Sequence, residues 1–187
     1  MPHTFPGRWV RELGDRQVNI IGRRNHGKTT LVVELVEHLT ALGLRVGALK
    51  HSSHLHLLEP PGKDSSRHRL AGASPSAIVT PELTALYLTV DAPDALDALV
   101  PAYLHCDVII VEGLASSPHP RKIEVWRAGM DTVPLATEVG GVIALVSDDP
   151  SPIDLGIPRW ARSDLAAIAD GVLELVGITR PKTQPTS

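Results

Sequence analysis

The sequence predicts a single α/β domain in three layers, with a mainly parallel sheet between two layers of helices. Short apolar runs alternate along the chain with segments whose apolar residues recur at helical spacing, and this alternation is typical of parallel α/β folds. The continuous β-branched run at 108–111 predicts a strand buried on both faces of such a sheet. With 187 residues, 43% of them hydrophobic, the chain suits one domain with its own core.

The elements follow one another in a regular order. We predict strands at 18–21, 45–49, 108–111, 122–127 and 142–146, of which 122–127 alternates and should be the most exposed. Helices are predicted at 28–42, 93–104 and 164–176, where the apolar residues fall on one side. Asp64 is placed to cap a shorter helix that runs to Ala71 and is closed by Gly72. Two more candidate strands lie at 77–80 and 85–90.

The two ends of the chain differ from its middle. We expect residues 1–16 to form a flexible arm, 17–178 the folded domain and 179–187 a disordered tail. The formal net charge of −3 and the 3% of aromatic residues argue against binding to nucleic acid or to an anionic membrane. The single cysteine, Cys106, fits a buried structural thiol and a reducing, cytoplasmic location.

The strongest signal is a phosphate-binding loop at 22–29, which matches the pattern G-x-x-x-x-G-K-[ST] in full. Glycines let the backbone turn tightly and approach phosphate oxygens, and the free N–H groups of the following helix point at the anion. The loop follows an apolar strand and opens an amphipathic helix, which is the context that confirms the pattern. We therefore predict a P-loop NTPase fold, with nucleotide contacts from Gly22, Asn25, His26, Gly27, Lys28, Thr29 and Thr30.

Chemical roles follow from the residue types. Lys28 should span the β- and γ-phosphates, and the Thr29 hydroxyl should ligate Mg²⁺. Ligands of open α/β sheets bind outside the carboxyl ends of the strands. Glu112 ends a buried strand on that side, whereas Asp107 lies at its opposite end. Glu112 is therefore the candidate for coordinating the metal or positioning the attacking water.

Two further segments are candidates for ligand contacts. Lys63 and Asp64 lie at a predicted helix start, which is an anion-binding feature that could act as a switch on the γ-phosphate or hold a phosphate of a second ligand. The alternative is that Asp64 only caps the helix. Asp148 follows a late strand, where a carboxylate could accept from the N1 and N2 donors of guanine. Without an N-K-x-D signature, the residues alone do not choose GTP over ATP.

The order of the motifs resembles the molybdopterin-guanine dinucleotide biosynthesis protein B family. The resemblance is carried by V-G-A-L-K-H at 46–51, P-G-K-D-S at 61–65, A-G-A at 71–73, V-E-G at 111–113 and K-I-E-V at 122–125 with Arg127. It covers about residues 18–176, and the P-G-K-D-S segment is its most specific part. It places Lys50, His51, Lys63, Asp64 and Ser65 among the ligand or switch residues, and Lys28, Glu112 and Asp64 among the catalytic candidates.

The resemblance also carries functional implications. It implies a homodimer, GTP with Mg²⁺, slow hydrolysis, and a helper role beside the guanylyltransferase that attaches GMP to molybdopterin. The chain departs from the family pattern in two places. Leu55 and Leu57 stand where members tend to carry acidic residues, and Leu114 and Ala115 stand where members tend to have an aromatic residue and Lys.

Other functions share the same loop. Closely spaced histidines (His51, His54 and His56) could bind a transition metal, as in a P-loop GTPase that delivers nickel. A small-molecule kinase would need a base and an Arg-rich lid, and only Arg67 and Arg69 are near the right place. A nucleotide-gated adaptor with incidental hydrolysis overlaps the GTP-binding helper that the resemblance implies.

Overall fold

The computed structural model describes residues 7–52, 62–88 and 97–179. Its centre is a six-stranded sheet in the order β2-β5-β1-β6-β7-β8, and all five neighbouring pairs in it are parallel. The strands of this sheet are β1 Gln17–Ile21, β2 Val46–Lys50, β5 Val108–Glu112, β6 Lys122–Val125, β7 Val142–Val146 and β8 Arg159–Trp160. The mainly parallel α/β fold predicted from the sequence is confirmed.

Helices cover both faces of the sheet. They are α1 Gly7–Leu13, α2 Lys28–Ala41, α3 Asp64–Leu70, α4 Val100–Tyr103 and α5 Leu165–Leu175. One core cluster joins α2 and α5 to residues of β1, β5 and β6 such as Ile20 and Ile110. The other joins α1 and α4 to Ile109 and Val111. Successive side chains of β5 thus enter opposite layers, as the two-residue period of a strand requires. No helix among the described residues is long and apolar enough to cross a membrane.

The sequence prediction was wrong about the exposure of β6. We expected its alternating residues to form a more exposed strand, but all four are buried and β6 pairs with β1 on one side and β7 on the other. Its two charged side chains are satisfied inside the protein. Lys122 Nζ donates to the Gly140 carbonyl oxygen at 2.7 Å, and Glu124 accepts two backbone N–H groups. Burial raises the pKa of Glu124 and lowers that of Lys122.

Part of the expected flexible arm is ordered. Residues 7–13 form α1, and Trp9 and Leu13 are fully buried in the second core cluster. The Trp9 indole N–H donates to Gln17 Oε1 at 2.6 Å. Its ring meets that of Tyr103 edge-on, with 5.1 Å between the ring centroids. A lone tryptophan in a polar stretch gave no periodic pattern, so the sequence did not reveal this anchor.

A small hairpin stands apart from the main sheet. It consists of β3 Ser76–Val79 and β4 Thr84–Tyr87, which pair antiparallel. The neighbouring α3 begins after Lys63, which occupies the N-cap position without a side-chain cap bond. Asp64 is therefore the first helical residue and not the cap that we predicted. At the other end Gly72 has φ +104°, and its N–H donates to the Arg69 carbonyl oxygen at 3.0 Å, which closes the helix as expected.

Trp9→Ala should destabilise the protein by about 3–5 kcal/mol, because it leaves a cavity in the second core cluster and removes the bond to Gln17. Urea unfolding followed by circular dichroism measures the change in the free energy of unfolding. The matched control is Val10→Ala on the same helix, where the side chain is 50% exposed and the change should stay within about 0.5 kcal/mol. Equal effects of the two substitutions would contradict the docking of α1.

Candidate functional site

The phosphate loop joins the end of β1 to the start of α2 at the centre of the sheet. Its geometry requires glycine at both ends of the pattern. Gly22 has φ +146°, and a Cβ there would lie 2.4 Å from the Val125 carbonyl oxygen. Gly27 has φ +93° and occupies the N-cap position of α2, while Asn25 has φ +66°. The backbone thus has the tight, glycine-dependent form that the sequence pattern predicts.

Lys28 reaches back across the loop. Its Nζ donates to the Arg23 carbonyl oxygen at 2.7 Å, so the ammonium group lies above the loop backbone. Partial burial lowers the pKa of Lys28; the Glu112 charge opposes this effect, and the Lys50 charge adds to it. A phosphate oxygen in the loop would be a stronger partner for this cation than the neutral carbonyl.

Thr29, Glu112 and Lys50 meet at the carboxyl ends of β5 and β2. The Thr29 hydroxyl donates to Glu112 Oε1 at 2.7 Å, and Lys50 Nζ lies 3.2 Å from the same oxygen. Glu112 is only 7% exposed. A hydroxyl and a carboxylate are the hard oxygen donors that Mg²⁺ prefers, so the donor set fits a magnesium ion held between a bound nucleotide and the end of β5.

His26, one of the predicted nucleotide contacts, has a buried side chain. The residue is only 1% exposed. Its Nδ1 accepts the Arg127 backbone N–H at 3.0 Å, and its Nε2 lies 3.2 Å from Thr132 Oγ1. Burial, with the charges of Lys28, Arg23 and Arg127, lowers the pKa of the imidazole. The ring therefore fastens the phosphate loop to the segment after β6, and only the His26 backbone is left to face a ligand.

The segment after β6 runs beside the phosphate loop and is bonded to it at several residues. Arg23 forms an ion pair with Glu138, and its Nε donates to the Val133 carbonyl oxygen at 3.3 Å. Glu124 accepts from the N–H groups of Leu135 and Ala136 at 2.6 and 2.8 Å. Sequence reasoning missed these supports. The signal that could have revealed them was an acid in the middle of an otherwise apolar strand.

Asp148 lies in the exposed loop that follows β7, where the base was predicted to bind. Its Oδ1 accepts from both the N–H and the hydroxyl of Ser163, each at 2.9 Å. These bonds lower the pKa of Asp148. The neighbouring Asp149 accepts from the Ala128 N–H through Oδ2 at 2.8 Å. The loop after β7 is therefore tied to the segment after β6, on the side of the sheet away from Glu112.

The second predicted anion-binding device lies on α3, beside the hairpin. Lys63 and Asp64 are exposed, while Ser65 is buried and its carbonyl oxygen accepts from Ser76 Oγ at 3.1 Å. The Asp64 carboxylate lies 3.7 Å from the Arg67 guanidinium, one turn further along the helix. A switch role for these residues therefore remains a prediction.

Other predicted residues lie closer to the phosphate loop, and some lie outside the structure. The His51 backbone N–H donates to the Glu112 carbonyl oxygen at 2.9 Å, directly beside the candidate metal site. Leu114, one of the departures from the family pattern, has φ +56° and is buried in the second core cluster. Within the described ranges, no three His, Cys, Asp or Glu side chains form a metal-binding group. Five other predicted positions fall outside those ranges: His54, Leu55, His56, Leu57 and Pro61.

Comparison with known proteins identifies close relatives. The chain is 34% identical over 139 residues to a molybdopterin-guanine dinucleotide biosynthesis adapter protein of Haemophilus influenzae, covering 73% of this chain and 77% of that protein. It is 33% identical over 153 residues to the Escherichia coli protein of the same name, covering 79% of this chain and 86% of that protein.

The fold and the family model agree with these relatives. The crystal structure of Bacillus subtilis MobB superimposes with a TM-score of 0.66 at 24% identity, covering 86% of this chain and 97% of that one, which shows a shared fold. The family model described as molybdopterin guanine dinucleotide synthesis protein B matches residues 17–148. The chain belongs to the molybdopterin guanine dinucleotide synthesis protein B family.

Proposed function

We propose that this protein is a GTP-binding adapter in the biosynthesis of the molybdopterin-guanine dinucleotide cofactor, with slow GTPase activity. The observation that best supports nucleotide binding lies at the centre of the sheet. There the phosphate loop with Lys28 adjoins the hydrogen bond between Thr29 and Glu112. The adapter role rests on family membership and on the names of the relatives. The nucleotide role rests on the geometry of the loop.

Binding would exchange internal bonds of the loop for bonds to phosphate. Lys28 would leave the Arg23 carbonyl oxygen for the β- and γ-phosphates, and the N–H groups at the start of α2 would donate to the same anion. Thr29 and Glu112 would hold Mg²⁺, which when bound neutralises charge on the phosphates. Glu112 is also the residue best placed to orient a water molecule, because it is held by Thr29 and Lys50.

Guanine is the base that the site suits. A carboxylate is the group that accepts from the two adjacent N–H donors of guanine, and adenine presents no such pair. Asp148 supplies an exposed carboxylate in the loop after β7, and its Oδ1 is oriented by Ser163. The bonds from Ser163 and the nearby Arg162 keep it ionised, since they lower its pKa.

Membership of the family supports a proposal about the binding partners of this protein. We infer that the adapter acts with the guanylyltransferase that joins GMP to molybdopterin, in the cytoplasm and as a homodimer. The hairpin offers a surface for a second copy. In the part of the chain that the structure describes, β3 and β4 pair only with each other. Val79 and Leu83 are each 75% exposed, and a two-stranded hairpin is marginally stable on its own in water.

Lys28→Ala should weaken binding of GTP·Mg²⁺ by about 100-fold or more, because it removes the cation that spans two phosphates. Isothermal titration with GTP and ATP, each with and without Mg²⁺, measures this loss and the preference for guanine. Circular dichroism should show that the variant is folded. The exposed Arg11→Ala on α1 serves as the charge control and should bind as wild type does. Undiminished affinity in the Lys28 variant would refute the site.

Glu112→Gln should leave GTP affinity within about threefold of wild type and slow its hydrolysis by about 100-fold. Glutamine can still accept from Thr29 and offer an oxygen to the metal, but it lacks the charge that orients the water. Phosphate release under single-turnover conditions measures the rate. Glu37→Gln, an exposed carboxylate on α2, is the matched control. If the Glu112 variant hydrolyses GTP as fast as wild type, another group positions the water.

If the protein is a homodimer, analytical ultracentrifugation should give a molar mass of about twice the 20.0 kDa of one chain. Val79→Asp should shift the protein towards the monomer, because it places a charge on the exposed face of the hairpin. Val33→Asp on α2, where the valine is 50% exposed, should leave the mass unchanged. A wild-type protein that stays monomeric across the concentration range would remove the dimer from the proposal.

A further inference from the structure

Arg127 lies against the phosphate loop although the predicted nucleotide contacts do not include it. Its guanidinium covers the position where a side chain of Gly27 would stand. A Cβ built on Gly27 would be 3.1 Å from one terminal nitrogen of Arg127, 3.5 Å from its Cζ and 3.7 Å from its Nε. Any larger residue at position 27 would therefore displace the guanidinium as well as strain the loop.

The backbone of Arg127 is fixed to the same loop. Its N–H donates to Nδ1 of the buried His26, one residue before Gly27. The next residue, Ala128, donates its N–H to Asp149 Oδ2 at 2.8 Å. Arg127 thus projects from a backbone that is held at two successive residues, which limits the positions its side chain can reach.

The charge of Arg127 has no partner in the described part of the chain. Among the residues that the structure describes, its guanidinium forms no hydrogen bond or ion pair, and the residue is exposed. Arg23, on the same loop, is paired with Glu138. Lys28 Nζ donates to the neutral carbonyl oxygen of Arg23. Two cations that form no ion pair with a described carboxylate therefore flank Gly27 at the start of α2, and this arrangement is suited to an anion.

The sheet order decides which part of the anion Arg127 faces. Glu112 and Thr29, the candidate metal ligands, meet at β5 on one side of β1. Arg127 follows β6 on the other side. The Ala128–Asp149 bond places it next to the loop in which Asp148 is the candidate guanine contact. A metal held by Thr29 and Glu112 would lie on the opposite side of the loop from Arg127, so Arg127 would face the phosphate nearer the nucleoside.

We propose that Arg127 is a nucleotide-binding residue that donates to the phosphate on the nucleoside side of the loop, between the metal site and the base site. The proposal rests on the proposed nucleotide-binding function and adds a second cation to it. On this account Arg127 binds guanosine di- and triphosphates alike and takes no part in the hydrolysis step. His26 is its positioning residue.

The test compares Arg127→Ala, Arg127→Lys and Arg11→Ala with the wild-type protein. Isothermal titration with GTP and with GDP, both in excess Mg²⁺, gives the affinities, and single-turnover hydrolysis at saturating GTP gives the rate. Arg127→Ala should weaken GTP and GDP by the same factor, about 10- to 100-fold. Arg127→Lys should recover part of the loss, since it keeps the charge without the planar fork. At saturating GTP the hydrolysis rate of Arg127→Ala should fall by a smaller factor than its affinity for GTP, and Arg11→Ala should match wild type in both measurements.

Each other outcome has a definite meaning. Unchanged affinities in Arg127→Ala would overturn the role of Arg127 and leave the proposed function intact. A loss confined to GTP, or to the hydrolysis rate, would also overturn the proposal, because it would place Arg127 at the γ-phosphate. A wild-type protein that binds neither nucleotide would overturn the proposed function and, with it, the role of Arg127.

His26→Ala separates positioning from general folding. It should weaken GTP and GDP in the wild-type background but have little further effect when combined with Arg127→Ala, since both changes remove the same contact. Additive losses in the double variant would show that His26 does not act through Arg127. Thermal unfolding of each variant confirms that the comparison is between folded proteins.

Discussion

The close approach of Gly22 to the carbonyl oxygen of Val125 is the constraint on which the site depends. At 2.4 Å from that oxygen, no Cβ has room at position 22, so the chain leaves β1 pressed against the end of β6. This contact brings the segment after β6 alongside the phosphate loop, where His26 and Arg23 bond to it. It also leaves the first turn of α2 beside the end of β5, where Thr29 reaches Glu112.

The two sides of the loop have different electrostatic characters. On the β5 side Glu112 is the shared acceptor of Thr29 and Lys50, which makes that side suitable for a metal ion. On the β6 side the buried carboxylate of Glu124 accepts from two backbone N–H groups, and Arg127 is a cation that forms no ion pair with any residue the structure describes. A nucleotide with a bound metal would match this charge distribution. The metal neutralises charge on the outer phosphates, whereas the inner phosphate keeps its negative charge.

Local patterns predicted what local sequence determines. The phosphate loop, the buried run of β5 and the position of Glu112 at the carboxyl end of its strand follow from residue types and spacing alone. The burial of β6, the docking of Trp9 and the orientation of His26 could not be predicted in this way. Each depends on a distant partner, as when Lys122 bonds to Gly140 and His26 bonds to Arg127. From the sequence, Arg127 was identified only as a part of the family pattern, without a role in binding.

The buried imidazole of His26 also links the phosphate loop to the proton concentration. In the unfolded chain this histidine takes up a proton near its ordinary pKa of about 6.5, whereas in the folded protein its pKa is lower. Between those two values the unfolded state binds more protons, so acidification withdraws the stabilisation that the neutral ring provides. A protonated ring could not accept from the Arg127 N–H through Nδ1, so acid would weaken this connection between the loop and the segment after β6.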